Sequence, residues 1–83
     1  MWPGMGESVR EAMLSRMLAL STNIAALSTA ADQLVKSARQ TEGRSISDAL
    51  LDIARRQRVK ILELEGQLAA LEVTFTKRFG AKP

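Results

Sequence analysis

The chain has 83 residues, a net charge of +3 from 12 Lys and Arg against 9 Asp and Glu, and no Cys, His or Tyr. A single core of this size is marginal, and neither a disulfide nor a Cys/His zinc site is available to reinforce it. The mild positive charge is less than a dedicated nucleic-acid module usually concentrates on one face. Association with other chains is therefore the expected source of further stability.

The N-terminal segment MWPGMGESVRE predicts neither export nor membrane insertion. It lacks a basic region followed by an apolar core, so no signal peptide is expected. The longest charge-free run, residues 17–31, is about 15 residues long and includes Ser, Thr and Asn, whereas a membrane span needs about 20 apolar residues. We therefore expect an intracellular, cytoplasmic protein with no transmembrane segment.

Two short polar patterns predict where helices begin. Ser8 is followed three residues later by Glu11, and Ser45 by Asp48, and both resemble capping boxes. Gly43 lies between them and is predicted to end the first helix in a left-handed conformation. The interior of the chain contains no Pro, so each helix is predicted to continue without interruption.

These signals divide the chain into a leader, one hairpin and a tail. Residues 1–7 are predicted to be a flexible leader, in which Trp2 is either disordered or an anchor on a partner. Residues 8–80 are predicted to form a single domain, and residues 81–83 a tail. Within the domain we expect a first helix over about 9–40, a turn at 41–45 and a second helix over about 46–79, each helix about 50 Å long.

Apolar residues recur at alternating spacings of four and three in both predicted helices, which is typical of a coiled-coil seam. We call these positions the hairpin seam. In the first helix they are Met13, Met17, Leu20, Ile24, Leu27, Ala31, Leu34 and Ala38. In the second they are Leu50, Ala54, Gln57, Ile61, Leu64, Leu68, Leu71 and Phe75. Gln57 is the one polar member, and it is expected to help fix register or oligomeric state.

The short turn makes the two helices antiparallel neighbours, in which the numbers of facing residues add to roughly 86. Opposite charges then come level at three places along the hairpin. The predicted pairs are Glu7 and Glu11 with Lys77 and Arg78, Arg16 with Glu72, and Lys36 and Arg39 with Asp48 and Asp52. The predicted fold class is all-α: a long antiparallel helical hairpin, a two-helix coiled coil that completes a helical bundle by oligomerisation or within a larger complex.

The second helix carries a further apolar row on a different face, which we call the second row. Its members are Val59, Leu62, Gly66, Ala69, Val73 and Thr76. A two-helix hairpin covers only one face of each helix, so this row is predicted to contact a partner. The alternative is that Gly66 is a tolerated surface residue and that Val59 and Val73 are isolated exposed apolar side chains.

The first helix also suggests a covered surface. Residues 17–31 carry no charge on any face, whereas a helix with an exposed face normally shows charge there. The alternative is a weakly polar exposed face of Ser, Thr and Asn.

Four positive charges fall within seven residues of the second helix, and we call them the basic cluster. They are Arg55, Arg56, Arg58 and Lys60. The cluster spreads around the helix, has no aromatic neighbour for base stacking, and can form helical ion pairs between Asp52 and Arg56 and between Lys60 and Glu63. A solvated face is the favoured interpretation, and contact with phosphates or an acidic partner is the alternative.

No enzyme chemistry is predicted. Acid–base catalysis would depend on carboxylates or Lys, the Ser residues have no base to activate them, and two long helices offer no concave site. We expect no catalytic, cofactor-binding or metal-binding residue, no cofactor and no small-molecule substrate. The predicted function is that of an interaction protein that self-associates or docks onto the helices of a larger complex. A nucleic-acid-binding hairpin that uses the basic cluster is the alternative.

Overall fold

A computed structural model describes residues 5–80, with side chains from residue 7 onward. Two α-helices of 36 residues each, α1 (Met5–Gln40) and α2 (Arg44–Phe79), are joined by a three-residue turn and pack against each other. The described residues contain no strand. The prediction of an all-α hairpin is confirmed. The leader residues 1–4, with Trp2, and the tail 81–83 lie outside the described residues.

Two contacts near opposite ends of the hairpin establish its antiparallel register. Near the turn, the Ser47 hydroxyl donates a hydrogen bond of 3.1 Å to the Ala38 carbonyl. Near the open end, the Arg10 guanidinium lies 5.6 Å from the ring centroid of Phe75. In both pairs the residue numbers add to about 85, close to the sum expected for two helices joined by a short turn.

Both helices begin earlier than predicted. Helix α1 starts at Met5 rather than at about residue 9, so residues 5–7 of the predicted leader are helical. Helix α2 starts at Arg44 rather than at about residue 46, and the turn is correspondingly shorter. Ser8 and Ser45 therefore lie inside the helices, and the two capping predictions are wrong. The N-cap of α2 is Gly43, with no side-chain cap.

The last carbonyl groups of α1 accept hydrogen bonds from hydroxyl groups, whereas the sequence predicts a left-handed glycine at this end. Gly43 is extended, with φ −75° and ψ 117°, so its predicted left-handed conformation is wrong. The Thr41 hydroxyl donates to the Ser37 carbonyl at 2.7 Å, and the Thr41 amide donates to the Ala38 carbonyl at 3.3 Å. These bonds satisfy carbonyls that the end of a helix leaves without partners. The left-handed cap is found instead at Gly80, after α2, with φ 75°.

The hydrogen bond from Ser47 to Ala38 gives a direct test of the turn. Ser47→Ala should lower the free energy of unfolding by about 0.5–1.5 kcal/mol, because the part-buried carbonyl loses its side-chain partner. Ser45→Ala is the matched control, since Ser45 is exposed and provides no cap. Urea unfolding followed by circular dichroism measures both variants. A larger loss for Ser45→Ala would instead restore the capping role first predicted for Ser45.

The core of the hairpin is a single line of side chains between the two helices. Every hairpin-seam position is buried or half-buried. The fully buried members are Met17, Leu20, Ala31, Ala38, Ala54, Leu64 and Phe75. Alanines predominate toward the turn, and the larger side chains lie toward the open end. There, Phe75 packs against Phe79 with ring centroids 4.9 Å apart, an arrangement that adds stability beyond the burial of area.

Candidate functional site: the exposed second row of α2

The second row forms an apolar strip on the outside of the hairpin. All six of its members are exposed. Val59, Leu62 and Val73 retain 52%, 68% and 55% of their surface in contact with solvent. At 100° per residue, the row lies roughly 150° around α2 from the hairpin seam. Helix α2 therefore has two nearly opposite apolar faces, and α1 covers only one of them.

Gly66 lies in the middle of the second row and opens onto free space. A Cβ atom added there would meet no neighbouring atom within 4 Å. Packing within the hairpin therefore does not require a glycine at this position. A mid-helix Gly costs about 1 kcal/mol relative to Ala, so its occurrence here fits a surface that another backbone approaches closely.

The C-terminal part of the second row forms the floor of a shallow groove. Ala69, Val73 and Thr76 line it, with Glu72 and Lys77 at its sides. The groove thus has an apolar floor with one acidic and one basic edge. A partner helix with apolar residues at matching spacing and charges of the opposite sign at its edges would complement it.

The basic cluster is largely engaged in ion pairs along its own helix. The Asp52 carboxylate lies 2.7 Å from the Arg56 guanidinium and 3.9 Å from that of Arg55. The Lys60 ammonium lies 3.6 Å from the Glu63 carboxylate. The predicted pairs Asp52–Arg56 and Lys60–Glu63 are therefore confirmed. Among residues 7–80, Arg58 forms no ion pair with any carboxylate.

The predicted ion pairs between the helices do not form. None of the three sets proposed along the hairpin comes within 4.0 Å, and all ion pairs found among the described residues lie within α2. Arg10 instead stacks over Phe75, and the Arg78 guanidinium lies 5.8 Å from the ring centroid of Phe79. Seam packing, the Ser47–Ala38 hydrogen bond and the Arg10–Phe75 contact, rather than ion pairs, hold the two helices together.

Gln57 is half-buried in the hairpin seam, as its spacing predicts. Its Oε1 atom is buried, and no donor from the described part of the chain reaches it. A buried amide oxygen without a donor is destabilising. Gln57 therefore marks the one point at which the seam includes a polar atom at a cost in stability.

The uncharged segment of α1, residues 17–31, is exposed on its outer side in the hairpin. Leu18 is 69% exposed and is surrounded by exposed Ala, Ser and Thr. Three further large apolar residues, Ile46, Leu51 and Ile53, are exposed on the N-terminal third of α2, and they are not predicted from the sequence. The seven-residue separation of Ile46 and Ile53 is the signal that could have identified those two.

Among residues 5–80, neither α1 nor α2 contains an apolar stretch of the length that a membrane crossing requires. Over the same residues, no group of three or more acidic, His or Cys side chains is arranged to hold a metal ion. Comparisons with protein-family models, curated proteins and solved structures find no match to this chain. The functional interpretation therefore rests on the residues and geometry of the hairpin itself.

Proposed function

We propose that this protein is a non-enzymatic helical assembly protein that uses α2 as a two-sided element. One side of α2 packs on α1, and the opposite side, the second row, binds another helix. The observation that carries the proposal is the continuous exposure of the second row, in which Val59, Leu62 and Val73 each leave more than half of their surface in solvent.

Three large apolar side chains, Val59, Leu62 and Val73, lie exposed on one strip of α2. Burying a Val or Leu side chain completely contributes about 1.5–3 kcal/mol of free energy. Each of these side chains is more than half exposed, so at least half of that free energy would come from contact with a partner. Isolated exposed apolar residues are normal on protein surfaces. Their recurrence at alternating three- and four-residue spacings, around an unobstructed Gly66, instead favours a helical partner.

The nucleic-acid alternative has less support. Binding of phosphates requires free cations on one face, but Asp52 holds both Arg55 and Arg56, and Glu63 holds Lys60. The four cations of the basic cluster and the two carboxylates paired with them leave a net charge of only +2, which provides little affinity for a polyanion. Binding of RNA or DNA that weakens steeply as salt rises would favour this alternative over helical assembly.

Photo-crosslinking tests whether the second row is a binding surface, either for a second copy of the chain or for another protein. A photoreactive amino acid placed at Val73 should form adducts in cells of the source organism, either with a second copy or with another protein. The same group placed at Lys36, exposed on α1, is the control. Adducts only at Val73 support the proposal, whereas no adduct at Val73, or equal adducts at both positions, would contradict it.

A further inference from the structure

We propose that the helix bound by the second row is α2 of a second copy of this chain, lying parallel and in register. This inference rests on the proposed function, because it names the occupant of the same surface. Two properties of the second row favour this occupant. They are the side chains that would meet across a two-fold axis and the charges at the edges of the row.

The row begins with the residue pattern of a parallel two-stranded coiled coil, Val59 at a and Leu62 at d, and has a second Val at a in Val73. Written as a heptad, its a positions are Val59, Gly66 and Val73, and its d positions are Leu62, Ala69 and Thr76. β-Branched residues at a combined with Leu at d favour two parallel strands. In a parallel dimer each residue meets its own copy, so Gly66 meets Gly66. The small central layers then let the two backbones approach closely.

The edge charges match in the parallel arrangement. In parallel coiled coils each g position faces the following e position of the partner. Arg58 at g then faces Glu63 of the second copy, a carboxylate that is shared with Lys60 of its own helix, and Glu72 at g faces Lys77. The two-fold axis doubles both contacts, which gives four attractive pairs. Arg58 forms no ion pair within the described chain, so this arrangement also provides it with a carboxylate.

The in-register antiparallel arrangement brings like charges together. Its layers would pair Leu62 with Val73 of the second copy and Gly66 with Ala69, an equally good apolar match. Antiparallel helices, however, bring g positions together with g, and e with e. Glu65 would then face Glu72 of the second copy, and Arg56 would face Lys77. Both repulsions occur twice, so the charges that flank the row at its e and g positions favour the parallel dimer.

Two flanking residues limit the row at its N-terminal end. The preceding a and d positions are Asp52 and Arg55, which lie 3.9 Å apart as an ion pair. In a parallel dimer the two Arg55 side chains would approach each other, with an Asp52 beside each. The apolar contact therefore begins at Val59 and continues to Thr76, a length of about 27 Å.

Cysteine crosslinking tests orientation directly, because the natural chain has no Cys. Leu62→Cys and Val73→Cys are prepared separately, and each is oxidised alone and after mixing with the other. A parallel dimer predicts disulfide-linked dimers of each variant alone. An antiparallel dimer predicts crosslinks only in the mixture, between positions 62 and 73. Ala12→Cys, exposed on α1, is the control for random collision.

Charge exchange provides a second measurement that leaves the apolar row intact. Sedimentation equilibrium should show Glu72→Lys weakening dimerisation by about tenfold, because two attractive pairs become repulsive. Adding Lys77→Glu should restore the wild-type affinity. In an antiparallel dimer, Glu72→Lys would instead strengthen association by removing its repulsion with Glu65. Circular dichroism of each variant verifies that the hairpin remains helical.

The outcomes separate this inference from the proposed function. Crosslinks only in the mixture, or a purified wild-type chain that stays monomeric up to about 300 µM, would overturn the parallel second copy. Adducts at Val73 with a different protein in the photo-crosslinking experiment would still support helical assembly. Self-linked dimers of both cysteine variants, together with restoration by the charge exchange, establish the parallel dimer.

Discussion

Leu20→Ala should lower the free energy of unfolding by about 2–5 kcal/mol, the usual cost of removing a buried leucine side chain. Leu20 is 1% exposed and lies in the middle of α1, where the hairpin core is only one side chain thick. The surrounding helices cannot fill the vacated space from a second layer. Urea unfolding followed by circular dichroism measures the loss, and complete loss of helicity in water would be its upper extreme.

Leu18→Ala is the matched control for that experiment. It makes the same change two residues away on the same helix, but Leu18 is 69% exposed. Its effect on unfolding should stay within about 0.5 kcal/mol, as is usual for surface positions. Both variants must be compared at one protein concentration, because self-association would contribute to apparent stability. Equal losses for the two variants would contradict the packing of α1 on α2 described above.

Gln57→Leu should raise the free energy of unfolding by about 1–3 kcal/mol, because it removes a buried, unpaired amide oxygen and places an apolar side chain in the seam. The measurement is again urea unfolding. If Gln57 also fixes the register of the helices, the more stable variant should lose specificity, seen as additional species in sedimentation velocity.

Gln33→Leu is the control for Gln57→Leu. Gln33 is exposed on α1, so its replacement should change stability by less than about 0.5 kcal/mol. A destabilising effect of Gln57→Leu would show that the Gln57 amide makes a favourable interaction in solution, and would contradict the cost assigned to its buried oxygen.

The architecture could be predicted from the sequence because one physical signal dominates it. Apolar residues recur on one side of each helix, and the chain has a single break at 41–43. An antiparallel hairpin is the simplest fold that buries both apolar sides. Leu20, Leu64 and Phe75 are buried for this reason. The end of α2 at Phe79 could also be predicted from the sequence, since Gly80 can adopt the left-handed conformation that caps a helix.

The helix starts and the absence of ion pairs between the two helices could not be predicted in the same way, although the pairs Asp52–Arg56 and Lys60–Glu63 within α2 were predicted correctly. Ser8 and Ser45 are good capping residues, but the backbone already continues as helix before each of them. Capping preferences are worth about 1 kcal/mol, which tertiary packing and neighbouring helix formers can outweigh. Cross-helix ion pairs are weaker still. Asp52 accordingly pairs with Arg55 and Arg56 on its own helix. The sequence alone does not determine how far its carboxylate lies from the cations of α1.

The second row was visible in the sequence as a spacing, and the hairpin adds its geometry. Spacing cannot show whether a loop or the other helix covers Val59 and Val73. The structure leaves both more than half exposed and leaves the space beside Gly66 open. The prediction of a partner surface thus falls on residues that the hairpin leaves exposed, and the charges at the edges of the row are what favour one partner over another.

The two opposite apolar faces of α2 also restrict how its length can change. A single inserted residue between Ile61 and Phe75 would rotate everything beyond it by about 100°, which would disrupt both faces at once. Inserting or removing seven residues would preserve both faces, but only if α1 changed by the same amount. This segment is therefore expected to change length only in heptad steps matched between the two helices, whereas the turn at 41–43 is free of that constraint.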